Sequence, residues 1–131
     1  MNRFFLSPHA DRIYALLRIV AGFMFLCHGL QKLFGVLGGQ QQPIASLAGV
    51  AGVIEFVAGV LIMVGFLTHW AAFLASGTMA VAYFMVHQPQ GTLPIQNQGE
   101  LAALYCFVFL YIAARGSGPW SVDASMRGSR R

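Results

Sequence analysis

Four apolar stretches dominate the chain, at about residues 12–34, 44–67, 70–88 and 97–114, and polar or glycine-rich segments separate them. About 20 apolar residues in a helix cross the ~30 Å hydrocarbon core of a bilayer, so each stretch predicts one crossing. The first ends at Gly35, Gly38 and Gly39, and the following QQQP turns the chain back. Only GFLTHW, residues 65–70, separates the second and third, which predicts antiparallel neighbours with Trp70 at an interface. Within the second, Gly49, Gly52, Glu55 and Gly59 recur at spacings of three, three and four, forming a stripe of small residues and one carboxylate that another helix can approach closely. On the third, Ala72, Ser76, Met79, Tyr83 and His87 share a face. Leu93, Pro94 and Ile95 form an apolar island in the loop before the fourth, and the tail WSVDASMRGSRR reads as too polar and short to fold alone.

Composition sharpens this into an integral membrane protein. The chain is 57% hydrophobic and 9% charged with a mean hydropathy of +0.66, where soluble domains carry about 25% charged residues. The expected architecture is all-α, one membrane domain over residues 1–131 built as a four-helix bundle. The first apolar segment is too long and too charged for a cleavable leader and is read as a retained helix.

The net charge of +4 does not point to nucleic acid. The basic residues outside the apolar stretches are Arg3, Arg12, Arg115, Arg127, Arg130 and Arg131, all near the two ends, while the loops at 35–43 and 88–98 contain none. This bias places both termini in the cytoplasm of a multi-pass protein of a bacterial-type inner membrane. The tail arginines then set topology and touch anionic lipid.

Three cationic or ionisable residues inside the first crossing, Arg18, His28 and Lys32, carry the candidate chemistry, because hydrocarbon leaves them no solvent partner. Counting ~1.5 Å per residue puts Arg18 and Glu55 within about 5 Å of the same depth, which predicts an Arg18–Glu55 ion pair. The same count puts Lys32, His87 and Glu100 in one outer layer with His28 one turn deeper. These four either line a polar pocket open to the outside or, for Lys32 and His87, snorkel to the headgroups. The histidines differ in depth and lack further ligands at metal-site spacing, so neither a metal nor haem is expected. Cys27 and Cys106 match in depth, which allows a thiol pair, though cysteine is also a common small core residue. Phe25, Tyr83, Phe107 and Tyr111 are either core or the walls of a flat pocket.

Four motifs in order, RIVAGFMFLCHGLQKLFG, GVIEFVAGVLIMVGFLTHWAA, NQGELAALY and GSGPWSVD, resemble the DoxX family of four-helix membrane proteins over nearly the whole chain. The matching positions are Arg18, His28, Gly29 and Lys32 in the first helix, Glu55 in the second, and Gly99, Glu100, Leu101 and Tyr105 in the fourth. The family's GPGR(Y/W)S-type tail is GSGPWS here and lacks the arginine. The resemblance implies a subunit or accessory of a quinone-linked redox system for sulfur compounds or thiol and oxidative stress, with no covalently bound cofactor and a quinone as the implied ligand. In that picture His28, Glu55 and Glu100 are the catalytic candidates, and Lys32, His87, Tyr83 and Tyr105 bind the substrate or quinone. The implied partners are lipid, other membrane redox subunits or further copies of the chain. A non-catalytic scaffold of a larger complex is the alternative, and a small-solute transporter a weaker one that needs oligomerisation through the glycine stripe.

Overall fold

The computed structural model describes residues 4–129, so Arg3, Arg130 and Arg131, three of the basic residues behind the topology assignment, lie outside it. A short 3-10 turn at Ser7–His9 leads into α1 (Ala10–Phe34), and α2 (Leu47–Val64) and α3 (Thr68–Ala82) follow. The helical path of α3 continues through a π turn at Tyr83–His87 and a 3-10 turn at Gln88–Gln90. After the one-turn α4 (Pro94–Asn97) come α5 (Glu100–Arg115) and α6 (Val122–Ser129). Among the described residues there is no strand. Three helical runs, Ser7–Phe34, Leu47–Val64 and Thr68–Gln90, are long and apolar enough to cross a membrane, and α5 has 16 residues.

The helix ends follow from local chemistry. α2 begins three residues later than its apolar stretch because Ser46 caps it, its Oγ accepting from the Gly49 N–H at 3.0 Å. It ends where Gly65 takes φ 72°, and the Phe66 N–H then returns to the Leu61 carbonyl at 2.9 Å. The tail is folded, contrary to the sequence expectation. The residue at the N-cap of α3, Leu67, has no capping side chain, and Asp123 of α6 supplies the cap, 55 residues from Thr68. Its carboxylate accepts from the Leu67 N–H at 3.1 Å, the Thr68 N–H at 3.1 Å and the Thr68 hydroxyl at 2.9 Å. Burial pushes this carboxyl up, but those hydrogen bonds and the nearby Arg127 outweigh it and hold Asp123 below the ordinary aspartate value. A polar tail is thus ordered by the unmet N–H groups of a distant helix.

The helices pack as two antiparallel pairs, α1 on α2 and α3 on α5, with α2 and α3 joined by the tight turn. Glycines on both members set the α1–α2 contact. A Cβ on Gly22 would lie 2.6 Å from the Met63 backbone nitrogen, one on Gly29 2.5 Å from that of Phe56, and one on Gly59 2.6 Å from that of Leu26. The two backbones therefore touch, and this seven-residue repeat on each helix fixes their register. The glycine stripe of α2 is consumed inside the chain by α1, which removes it as a surface for oligomerisation. Between the pairs, Phe25 of α1 meets Phe109 and Tyr105 of α5 at 4.8 and 5.6 Å between ring centroids.

Polarity is inverted relative to a soluble protein. Phe23, Val57, Phe73, Leu104 and Phe107 are exposed, while Arg18 and Glu55 are buried. An apolar exterior around a charged interior is what a hydrocarbon solvent selects.

The expected Arg18–Glu55 pair does not form. Arg18, fully buried, donates through Nε to the Ile62 carbonyl at 3.1 Å, through one terminal nitrogen to the carbonyls of Ser117 and Pro119, and through the other to that of Trp120 at 2.6 Å. The physical reason is register. The guanidinium sits beside Ile62 and Gly65, seven to ten residues along α2 from Glu55, about 10–15 Å of helix. The sequence count assumed crossings that were a few residues displaced, enough to bring the two charges level. At its true level the arginine meets the unused carbonyls of a helix end and of the 117–120 loop, whose acceptors suit its fork of donors.

Candidate functional site

The end of the α1–α2 seam at the C-terminus of α1 opens into a cavity of about 230 Å³. Gly29 and Gly52 bring the two backbones together there, and Lys32 of α1 reaches Glu55 of α2, Nζ to Oε1 at 2.7 Å. Lys32 is the residue the sequence count should have given Glu55: its side chain is 34% exposed and so lies at the mouth, while Glu55 is 2% exposed and lies at the floor. His28 and Phe25 line the same wall below Lys32.

The other walls come from the second pair. α3 contributes Met79 and Ala82, and the π turn that follows brings His87 to the rim. The His87 Nδ1–H donates to the Asn97 carbonyl at 3.1 Å; this bond selects the Nδ1-protonated tautomer and leaves Nε2 as an acceptor in the neutral ring. From α5 come Leu101, Ala102 and Tyr105, whose ring stands edge-on to that of His28 at 6.1 Å and stacks on Phe109 at 5.2 Å.

Of the expected site residues, His28, Lys32, Glu55, His87 and Tyr105 line this cavity, and Glu100 and Tyr83 do not. Glu100 begins α5 and is exposed, because the buried stripe of that helix runs through Ala102, Tyr105, Phe109 and Ile112. The same stripe leaves Phe107 and Tyr111 on the outer surface, so of the four expected aromatic walls only Phe25 lines the cavity. Tyr83 instead holds the loop, its hydroxyl accepting from Asn97 Nδ2 at 3.2 Å. Cys27 and Cys106 are both free thiols, and Cys106 lies against Ser76 of α3 with 3.6 Å between Sγ and Oγ.

One residue escaped the sequence reading. Asn97 is fully buried and donates to the Gly91 carbonyl at 3.1 Å while its Oδ1 accepts from the Gly99 N–H at 2.9 Å. It thereby sets the loop that carries His87 and the start of α5. The NQG sequence was its signal, an asparagine side chain two residues before a glycine N–H, the spacing of an Asx turn.

Two buried polar atoms on the cavity residues have no hydrogen-bond partner in the protein: the second carboxylate oxygen of Glu55, Oε2, and the hydroxyl of Tyr105. Buried polar groups are nearly always satisfied, so two orphans on one small cavity call for a partner from outside the chain, a water or a ligand. No group of three His, Cys, Asp or Glu side chains suited to a metal occurs among the described residues. What the cavity offers is hydrogen bonding: an ammonium at the mouth, an ion-paired carboxylate with one free oxygen, a phenol and two imidazoles, set in apolar walls.

Comparison with known proteins places the chain. The DoxX family model matches residues 13–88, which hold Arg18, His28, Lys32, Glu55 and His87. A protein of Haemophilus influenzae described as uncharacterized is 42% identical over 125 residues, covering 90% of this chain and 93% of its own length. No solved structure matches. The helices, the charged interior and these matches agree, and the chain belongs to the DoxX family of membrane proteins.

Proposed function

We propose that the chain is a subunit or accessory of a quinone-linked redox system in a bacterial-type inner membrane, and that the cavity around Lys32 and Glu55 holds the head of the quinone–quinol couple. In this reading residues 1–131 are one domain and α1, α2, α3 and α5 form a four-helix bundle that crosses the bilayer with both termini cytoplasmic. The observation that carries it is the pair of unpartnered atoms, Glu55 Oε2 and Tyr105 Oη, on a cavity whose walls combine apolar side chains with Lys32, His28, His87 and Gln98. A quinone head is flat and apolar with oxygens at its edges, which suits walls of Phe25, Met79 and Leu101 with polar groups contributed from both helix pairs. Lys32 and His28 polarise a ring oxygen, and Glu55 takes or gives the proton that accompanies it.

The basic residues Arg12, Arg115 and Arg127, flanking the same ends of the helices, support the orientation. The test is quinone-dependent turnover of the purified protein, or of the complex it co-purifies with, after single alanine changes at His28, Glu55 and Tyr105. The reading requires loss of turnover in each; unchanged turnover in all three sinks it.

A further inference from the structure

From the charges and the orphaned atoms of the cavity we infer that its ligand is uncharged and binds through a hydroxyl group that donates to Glu55 Oε2, so that the site is selective for a diol of quinol type over the quinone. This rests on the reading of the cavity as the quinone site and goes beyond it by naming the form bound.

Charge comes first. Lys32 and Glu55 are paired at 2.7 Å, so the fixed charges of the cavity cancel. An anion entering would have to compete with Glu55 for the one ammonium, and a cation would compete with Lys32 for the carboxylate; a neutral molecule disturbs neither. Hydrogen-bond sense comes second. With Glu55 ionised in its pair with Lys32, the unpartnered Oε2, on a residue only 2% exposed, accepts only, so it calls for a donor on the ligand. A quinone carbonyl has no hydrogen to give and would face that oxygen lone pair to lone pair. Tyr105, 5% exposed, has a hydroxyl that both gives and accepts, and it serves the ligand's second oxygen in either sense. Size comes third. A cavity of about 150 Å³ accepts benzene, and the 230 Å³ here admits a substituted ring with two oxygens.

The experiment uses the full chain purified in detergent and four probes held under anaerobic conditions: tetramethylbenzene-1,4-diol, its dimethyl ether, the corresponding quinone, and benzoate. Dissociation constants come from the ligand-dependent rise in unfolding temperature. The diol should bind at least about tenfold more tightly than the ether or the quinone, the loss expected when one buried acceptor goes unmet, and benzoate should not bind. Tyr105→Phe and Glu55→Gln should each weaken the diol about tenfold. If Glu55→Gln does not fold because Lys32 loses its partner, Tyr105→Phe carries the test alone. Equal binding of the ether, or tighter binding of benzoate, overturns the inference. Preference for the quinone overturns it too but leaves the quinone-linked reading standing, whereas no binding of any probe removes both.

Discussion

Whether the buried carboxylate of Glu55 belongs to Lys32 or to Arg18 decides how the interior is wired, and double-mutant cycles measure it. The substitutions are Lys32→Met, Arg18→Met and Glu55→Gln, singly and in the two pairs with Glu55. Lys32 and Glu55 share a hydrogen bond of 2.7 Å between charged groups, one of them fully enclosed. Such bonds contribute about 1.5–3 kcal/mol, and the one-third exposure of Lys32 argues for the lower half of that range. Arg18 is anchored seven to ten residues away along α2, a rise of about 10–15 Å, and groups that far apart with no shared partner couple by less than about 0.5 kcal/mol. The assay is reversible unfolding in mixed micelles as the fraction of a denaturing detergent is raised. The Lys32–Glu55 cycle should show a coupling of about 1.5–2 kcal/mol, with the Arg18–Glu55 cycle additive. An Arg18–Glu55 coupling as large as that of Lys32–Glu55 would refute the register described above.

Other expectations follow from single contacts. Gly59→Ala should destabilise by about 1–3 kcal/mol in the same assay, because its methyl would sit 2.6 Å from the Leu26 backbone nitrogen and part the helices; Gly77→Ala, with nothing within 4 Å, should be neutral or stabilise by up to about 1 kcal/mol. Without ligand, Tyr105→Phe should leave the unfolding midpoint unchanged or raise it, since the lost hydroxyl has no partner; a clear drop would show that it has one. Asp123→Asn should weaken the docking of α6 by about 1 kcal/mol, read as faster hydrogen exchange at the Leu67 and Thr68 amides. Because the folded state holds the Asp123 carboxyl below its ordinary value, its contribution is whole above that ordinary value and fades as pH falls through the lowered one. Protection of the two amides should therefore fall in that acid range in the wild type and not in Asp123→Asn; protection that weakened towards alkaline pH would contradict the sign.

The parts of this structure that were legible from sequence are those governed by hydropathy and local turn chemistry. The apolar stretches gave the long helices to within three residues at most ends, and the Gly35 and Gly65 stops were readable because left-handed caps favour glycine. The glycine stripe on α2 was visible as a close-approach surface, but its partner was not, since Gly22 and Gly29 fall among residues that also suit a helix facing lipid. That missing register is why Glu55 was assigned to the wrong cation. Depth counted from the ends of apolar stretches carries an error of a few residues at each end, and two such errors exceed the reach of a side chain. The cavity group was found in part because depth alone suffices for residues near one surface. Glu100 was misplaced because rotation about α5, unlike height along it, depends on which stripe packs against α3. The tail was misjudged for a different reason: its order comes from the uncapped start of α3, a need that no pattern within residues 122–129 announces.

Arg18 has a consequence for biosynthesis. Three of the four carbonyls that receive it belong to residues 117–120, about a hundred positions downstream, so for most of translation the first helix carries a guanidinium most of whose acceptors do not yet exist. Only when the last loop has emerged can the arginine be enclosed as it is in the folded chain. A chain that stops short of residue 117 keeps only the Ile62 carbonyl of those four acceptors and leaves the two terminal nitrogens of Arg18 unmet.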